Sequence, residues 1–305
     1  MVTWNAQQWL EDKRKAVGQS GAHAVRLKVW ANDLEVFREG GYTTDSGKNV
    51  VIGGIPEMLS GSRVYSEAFS VADRPVAAEG TRTGTGNWDC IELGKHLKEQ
   101  GYNPVILNFS GIRKPNGLVD RGYKAQEEAI CRRTNLTQAL SQFYTPEWAA
   151  TVNVPYIGNS YPLDSLHGSV YTPGVTVFRT GEKEGCRFLD EPFALSFISN
   201  GAIKKAKGNE FTEDDVNTTR ERIRTVFRVG LDQGHDALIL GGWGCGAFNN
   251  PVDVMAGLFK SVSEEDEFRG KYRGIFFACL EKSSARKDPT SGKFAPFYRL
   301  FGTLD

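Results

Sequence analysis

Two stretches of this chain have the residue types and spacing for chemistry. The first is GGWGCGAFNNP, from Gly241 to Pro251. Gly242, Gly244 and Gly246 alternate with Trp243, Cys245 and Ala247, and Phe248 follows. Alternate glycines let the backbone turn with φ > 0 and come close to a ligand. Successive N–H groups, with the N-terminus of a following helix, make an anion cradle. The stretch is neither GxGxxG nor GxxxxGK[ST]. It lacks the lysine expected for a γ-phosphate, so pyrophosphate fits better than triphosphate. A tight strand-to-helix turn with no ligand is the other reading. Asn249 or Asn250 is expected to cap the helix, with Pro251 in its first turn.

The second stretch is NFSGIRKPNGLVDRGYKAQEE, from Asn108 to Glu128. It also reads as strand, glycine-containing loop and helix. Gln126, Glu127 and Glu128 open the helix. Acidic residues there can simply answer the helix dipole. Taken alone, that is the stronger reading; two such loops with adjacent carboxylates also suggest a site that holds pyrophosphate and ribose beside an acid. In open α/β sheets ligands collect at the carboxyl ends of strands, and both loops follow strands.

The elements that position these loops show in the apolar pattern. Helices are expected over Trp4 to Val17, Leu27 to Phe37, Ile91 to Glu99, Ala125 to Phe143, Asp214 to Asp232 (capped by Thr212) and Val252 to Val262. Buried strands are expected at Pro104 to Phe109, Val175 to Phe178, Phe193 to Ile198, Ala237 to Leu240 and Gly274 to Leu280. Val71 to Asn87 reads as a loop, and Gly111 to Gly122 as another. Short apolar strands alternating with helices predict an α/β fold whose mixed or parallel sheet is covered on both faces.

Composition narrows the function classes. The 305 residues include 37 Lys+Arg and 37 Asp+Glu, so no global field attracts nucleic acid or an anionic membrane. The five cysteines are scattered and form no CxxC pair, which argues against a disulfide framework or zinc site and for a reducing compartment. The charged N-terminus has no apolar h-region, and no apolar run is long enough to span a membrane. An intracellular, cytoplasmic monomer is expected, with a nuclear location open. His23, His96, His167 and His235 show no ligand spacing, so no metal or cofactor is expected. Cys245 is expected to pack as a small residue rather than act as a nucleophile. The run Lys204-Lys205-Ala-Lys207 reads as a solvated loop, with contact to a modified protein or nucleic acid as the alternative.

Asn108 to Leu136 followed by Leu238 to Asn250 resembles the bacterial-type poly(ADP-ribose) glycohydrolases, a branch of the macrodomain superfamily. LEVFREGGY near residue 40, HGSVYTPGVTVFRTGE from His167 and FRGKYRGIFFACLE near the end are similar in the same order. The resemblance implies a macrodomain-like three-layer core over residues 86–305, with residues 1–85 as an N-terminal helical extension packed on it. It implies ADP-ribose or an ADP-ribosylated macromolecule as partner. Glu128 would protonate the leaving oxygen and then deprotonate the attacking water, and Glu127 would hold ribose hydroxyls. Gln126 would line the same site, and the backbone from Gly242 to Ala247 would cradle pyrophosphate. Phe248 would pack against the nucleotide end, core packing being equally open. Asn116, Gly117 and Leu118 stand where the family usually has three glycines, and Lys114 where it often has asparagine. Side chains at 116 and 118 would narrow the approach to the ribose and weaken hydrolysis of long chains, unless a shifted loop accommodates them. A glycohydrolase leads. A non-catalytic ADP-ribose reader and a hydrolase of mono-ADP-ribosyl conjugates stay open.

Overall fold

The structure is a computed structural model that describes residues 1–72, 75–77, 79–281 and 292–304. In chain order its elements are α1 (Ala6–Lys15), α2 (Gly18–Glu39), β1 (Gly41–Thr43), β2 (Asn49–Val51), α3 (Ile55–Gly61), β3 (Arg63–Tyr65), β4 (Arg82–Gly86), α4 (Cys90–Glu99) and β5 (Pro104–Phe109). Then come α5 (Gln126–Cys131), α6 (Leu136–Ser141), α7 (Pro146–Thr151), β6 (Ser169–Arg179), β7 (Phe188–Asn200), α8 (Glu213–Asp232), β8 (Ala237–Leu240), α9 (Val252–Ser263), β9 (Gly274–Ala278) and α10 (Ala295–Phe301).

Two compact units divide the chain, each assembled from three stretches. One comprises Met1–Arg63, Ser110–Leu163 and Thr172–Leu195; the other comprises Val64–Phe109, Asp164–Tyr171 and Ser196–Asp305. The larger sheet has its strands in the order β3-β6-β7-β5-β8-β9-β4. β5 runs parallel to both β7 and β8, and β9 parallel to both β8 and β4. The link from β6 to β7 is too short for a parallel crossover, so β7 returns antiparallel and the sheet is mixed. Its apolar strands alternate between two faces. In the second unit Val105, Leu107, Leu238, Leu240, Ile275 and Phe277 share one core with Ile223, Phe227, Met255, Phe259 and Phe297 of α8, α9 and α10. Ile106, Ile239 and Phe276 point the other way, and α4 packs against β5. The expected α/β architecture, a mixed sheet between helices, is the one observed.

In the first unit α2 is the long organiser. It ends at Gly40, whose φ of 69° supplies the left-handed cap that only glycine adopts freely. Trp30, Val36 and Phe37 of α2 pack with Tyr42, Cys131, Phe178 and Phe188. Arg179 is fully buried here, with Nε 2.7 Å from Asp33 Oδ1, itself fully buried. Its remaining nitrogens donate to Cys186 O at 2.8 Å and to Asn32 Oδ1 at 2.6 Å. Breaking a buried pair by removing one partner strands the other charge, which costs about 3–5 kcal/mol. Arg179→Ala is therefore expected to lower the denaturation midpoint sharply in a urea titration. A shift typical of a surface substitution would show that the pair does not hold the unit together.

Several expectations need correction. The helix from Ala125 to Phe143 is broken into α5 and α6. Between them the backbone turns to β6: Phe178 N donates to Arg133 O at 2.9 Å, Asn135 N to Thr176 O at 3.2 Å, and Thr176 N to Asn135 Oδ1 at 2.7 Å. These bonds satisfy groups that a continuous helix would have used. The loop expected over Val71 to Asn87 contains β4, whose RTGTG sequence has no apolar signal. Its glycines allow close packing: a Cβ on Gly84 would lie 3.0 Å from Leu304 Cβ. β6 and β7 run well beyond their expected bounds. Neither Asn249 nor Asn250 caps α9; Pro251 occupies the cap position, and no side chain caps the helix.

Candidate active site

The loop leaving β5 is closed on the glutamates of α5. Asn116 N donates to Glu127 Oε1 at 3.0 Å, and Leu118 N donates to Glu128 Oε1 at 2.9 Å. Two backbone amides of one turn thus clamp two adjacent carboxyl groups. Both glutamates are buried, at 3% and 6% exposure, which is unusual for Glu and requires such partners. Glu128 Oε2 is buried with no hydrogen-bond partner among the described residues. A buried oxygen without a protein partner can take a hydrogen bond from a water or a ligand. Gln126 beside them is half-buried.

Gly117 makes the clamp possible. Its φ is 54°, and a Cβ there would overlap Glu128 Oε1 and lie 2.8 Å from Glu128 Cδ. Asn116 also has a positive φ, 68°, a region asparagine tolerates better than most residues. Its side chain is fully buried, with Nδ2 3.2 Å from Ser141 Oγ. The Asn116 side chain therefore points into its own unit. It does not narrow the approach to the glutamates, as its position in the sequence suggests. Leu118 is half-buried. Sequence reasoning missed Ser141, because the contact spans 25 residues and no motif announces it. It also missed Tyr161, a buried phenol pushed well above its ordinary value by burial and by the charge of neighbouring Glu127.

The glycine loop follows β8 in the other unit. Cys245 N bonds Gly242 O at 3.0 Å, Asn250 N bonds Gly244 O at 3.1 Å, and Asn249 N bonds Gly246 O at 3.2 Å. Those bonds leave the consecutive N–H groups of Gly246, Ala247 and Phe248 without an acceptor among the described residues. Gly246 and Ala247 are exposed. Gly244 has φ 73°, and a Cβ on it would lie 2.8 Å from Ala202 Cβ. Gly242 is closed off by the Phe294 ring, which a Cβ there would overlap.

Trp243 and Cys245 serve the core. The Trp243 indole is fully buried, and its backbone N–H is used by Gly241 O at 2.7 Å. Burial pushes the Cys245 thiol up to about 12, so it is no thiolate near neutral pH. Phe248 is half-buried against the unit's core, with Lys204 Nζ 5.9 Å from the ring centroid. Lys205 N donates to Phe248 O at 3.0 Å, and Asn249 Nδ2 to Lys205 O at 3.0 Å. The basic run at Lys204–Lys205 thus lies against the glycine loop. Nothing in the run itself hints at that, because α8 and β8 separate it from the loop along the chain.

Residues 31–180 match the model of a family described as microbial-type PARG, catalytic domain. Over that segment the chain is similar to the bacterial-type poly(ADP-ribose) glycohydrolases. The segment matched by the family model includes the clamped glutamates and ends before the glycine loop. Structural similarity to glycohydrolases of this family reaches further. The poly(ADP-ribose) glycohydrolase of Thermomonospora curvata superposes with a TM-score of 0.74 at 25% identity, covering 91% of this chain and 100% of that one. The same enzyme bound to the inhibitor ADP-HPD gives 0.73 at 26% identity, over 91% of this chain and 100% of that chain. The glycohydrolase of Deinococcus radiodurans in complex with ADP-ribose shares the fold, with a TM-score of 0.62 at 24% identity, covering 82% of this chain and 98% of that chain. No curated protein matches. Among the described residues no helix is long and apolar enough to cross a membrane, and no group of three His, Cys, Asp or Glu residues could hold a metal ion.

Proposed function

We propose that this protein is an ADP-ribosyl glycohydrolase in which Glu128 is the general acid and base. The observation that carries the reading is the state of Glu128: one oxygen held by a backbone amide, the other buried and unpartnered. Glu128 protonates the oxygen leaving C1″ of the ribose as that bond breaks. It then takes a proton from the water that adds to the oxocarbenium-like carbon, which restores the acid and releases a free hydroxyl. Glu127, fixed by Asn116 N, accepts hydrogen bonds from ribose hydroxyls. The open N–H groups of Gly246, Ala247 and Phe248 bind the pyrophosphate, and the Phe248 ring offers a flat surface to the nucleotide end.

Two measurements test this. Calorimetry should detect ADP-ribose binding by the wild type and about tenfold weaker binding by Gly246→Val, whose side chain obstructs the N–H cradle. A Cβ at residue 246 would have no atom of the described residues beyond its chain neighbours within 4 Å, so that change should leave the fold alone. Equal affinities would remove the glycine loop from the ligand site. Incubation with poly(ADP-ribose) and with mono-ADP-ribosylated protein should release free ADP-ribose from at least one of them. Binding without release from either would make the protein a reader.

The altered first loop gives a separable expectation. Asn116→Gly strands the Ser141 hydroxyl and removes a buried amide, so it should cost about 1–3 kcal/mol without faster turnover. Leu118→Gly removes the side chain beside the amide that clamps Glu128 and should raise turnover of long chains. Melting temperature and chain hydrolysis measured on each single variant decide this. A stable, faster Asn116→Gly would contradict the buried role of that side chain.

A further inference from the structure

A groove of about 550 Å³ in the first unit is lined by Gln7, Leu10, Lys13 and Arg14 of α1 and by Glu182 and Lys183 of the turn after β6. Its charge is unbalanced. Among the described residues Glu182 is the one acidic residue in the lining, and three cations converge on it. Arg26 Nε is 2.6 Å from its carboxylate, Lys13 Nζ 3.0 Å and Arg132 Nη2 3.7 Å. Burial alone would raise that carboxyl, but hydrogen bonds from Arg26 and Lys13 hold it below its ordinary value, so it stays ionised. Even so, three cations on one anion leave a positive excess. Arg132 is more than nine-tenths buried, and both its terminal nitrogens lack a hydrogen-bond acceptor among the described residues. Arg14 and Lys183 are exposed and have no acidic partner among the described residues. Basic residues in the last turn of α1 fit the helix dipole, but that explanation does not reach Lys183, Arg26 or Arg132.

We propose that this groove is a second binding site, outside the clamped-glutamate loop, for a phosphate-rich chain. Resting on the glycohydrolase reading, we assign the chain as poly(ADP-ribose) beyond the unit being cleaved. Arg14 and Lys183 contact its phosphates. The buried Arg26–Glu182–Arg132 cluster keeps the potential positive behind them, and Leu10 gives an apolar floor. Such contacts work by charge, so they add affinity for long chains and leave a single ADP-ribose unit unaffected.

The test compares wild type with the double variant Arg14→Glu, Lys183→Glu, and with Lys183→Ala as a milder control. Fluorescence anisotropy with end-labelled poly(ADP-ribose) measures chain binding, and calorimetry with ADP-ribose measures the monomer. The double variant should bind the chain at least about tenfold more weakly. Its salt slope should fall by about 1.4, at ~0.7 for each phosphate no longer neutralised, and Lys183→Ala should show about half that fall. Monomer affinity and melting temperature should stay at wild-type values. Unchanged chain affinity overturns the proposal, as does a parallel loss of monomer affinity in Lys183→Ala. Single-stranded DNA of equal charge bound as tightly, and released as completely in the double variant, would assign the groove to nucleic acid instead. A wild type that binds the monomer but shows no extra affinity for the chain overturns the groove alone. One that fails to bind the monomer overturns the reading of the active site.

Discussion

Glu128→Gln is expected to abolish hydrolysis while leaving ADP-ribose binding nearly intact. The amide keeps the size and shape of the carboxyl, and its oxygen can still accept the Leu118 N–H that now bonds Glu128 Oε1. The loop should therefore stay closed. What disappears is the proton cycle: a primary amide neither protonates a leaving oxygen nor deprotonates water at neutral pH. Loss of an acid–base group costs about 10²–10⁴-fold in rate. Burial supports the size of this effect, since Oε2 is shut away from bulk water that could stand in for the carboxyl. The measurement is turnover beside ADP-ribose calorimetry on the same preparation. Wild-type turnover by the variant would remove Glu128 from the chemistry. A variant that neither binds nor turns over would show that the substitution opened the loop.

Gly117→Ala is expected to be nearly as damaging, by a different route. The added methyl overlaps the Glu128 carboxyl and sits on a residue with φ 54°. Either the glutamate rotates away, breaking its bond to Leu118 N, or the turn shifts and releases Asn116 N from Glu127. Each outcome misplaces the acid, and displacement of a reacting group by about 1 Å can cost ~10²-fold. A modest fall in melting temperature should accompany it, since alanine in the left-handed region costs roughly 1 kcal/mol. The contrast with Gly246→Val is informative. There a larger side chain has free space, so binding should change and the fold should not. Full activity in Gly117→Ala would mean that the clamped arrangement is not the working state.

Much of this arrangement is legible in the sequence. β5 and β8 are continuous apolar runs, and α8 begins at Thr212 with a capping box on Asp215. The glycine loop and the paired glutamates stand out because each follows such a strand. The rest is hidden for identifiable reasons. β4 is largely threonine and glycine, so nothing in RTGTG marks a strand; Thr303 beside Thr85 and the partner strand β9 make it one. The break between α5 and α6 depends on bonds to β6, more than 40 residues away. Asn116 reads as an intrusion on the ligand because its side-chain partner Ser141 cannot be seen from the motif. The two units are not readable at all, since each is built from three separated stretches.

Everything in the proposed mechanism turns on the buried, unpartnered oxygen of Glu128 driving release of ADP-ribose. The most direct measurement is the initial rate of free ADP-ribose formation from ADP-ribosylated substrates, long-chain and mono-modified, by wild type and Glu128→Gln side by side. The mechanism requires steady release by the wild type from at least one substrate and a rate lower by about 10²–10⁴-fold in the variant. Equal rates in the two proteins, or ADP-ribose binding by the wild type with no release from either substrate, would contradict it.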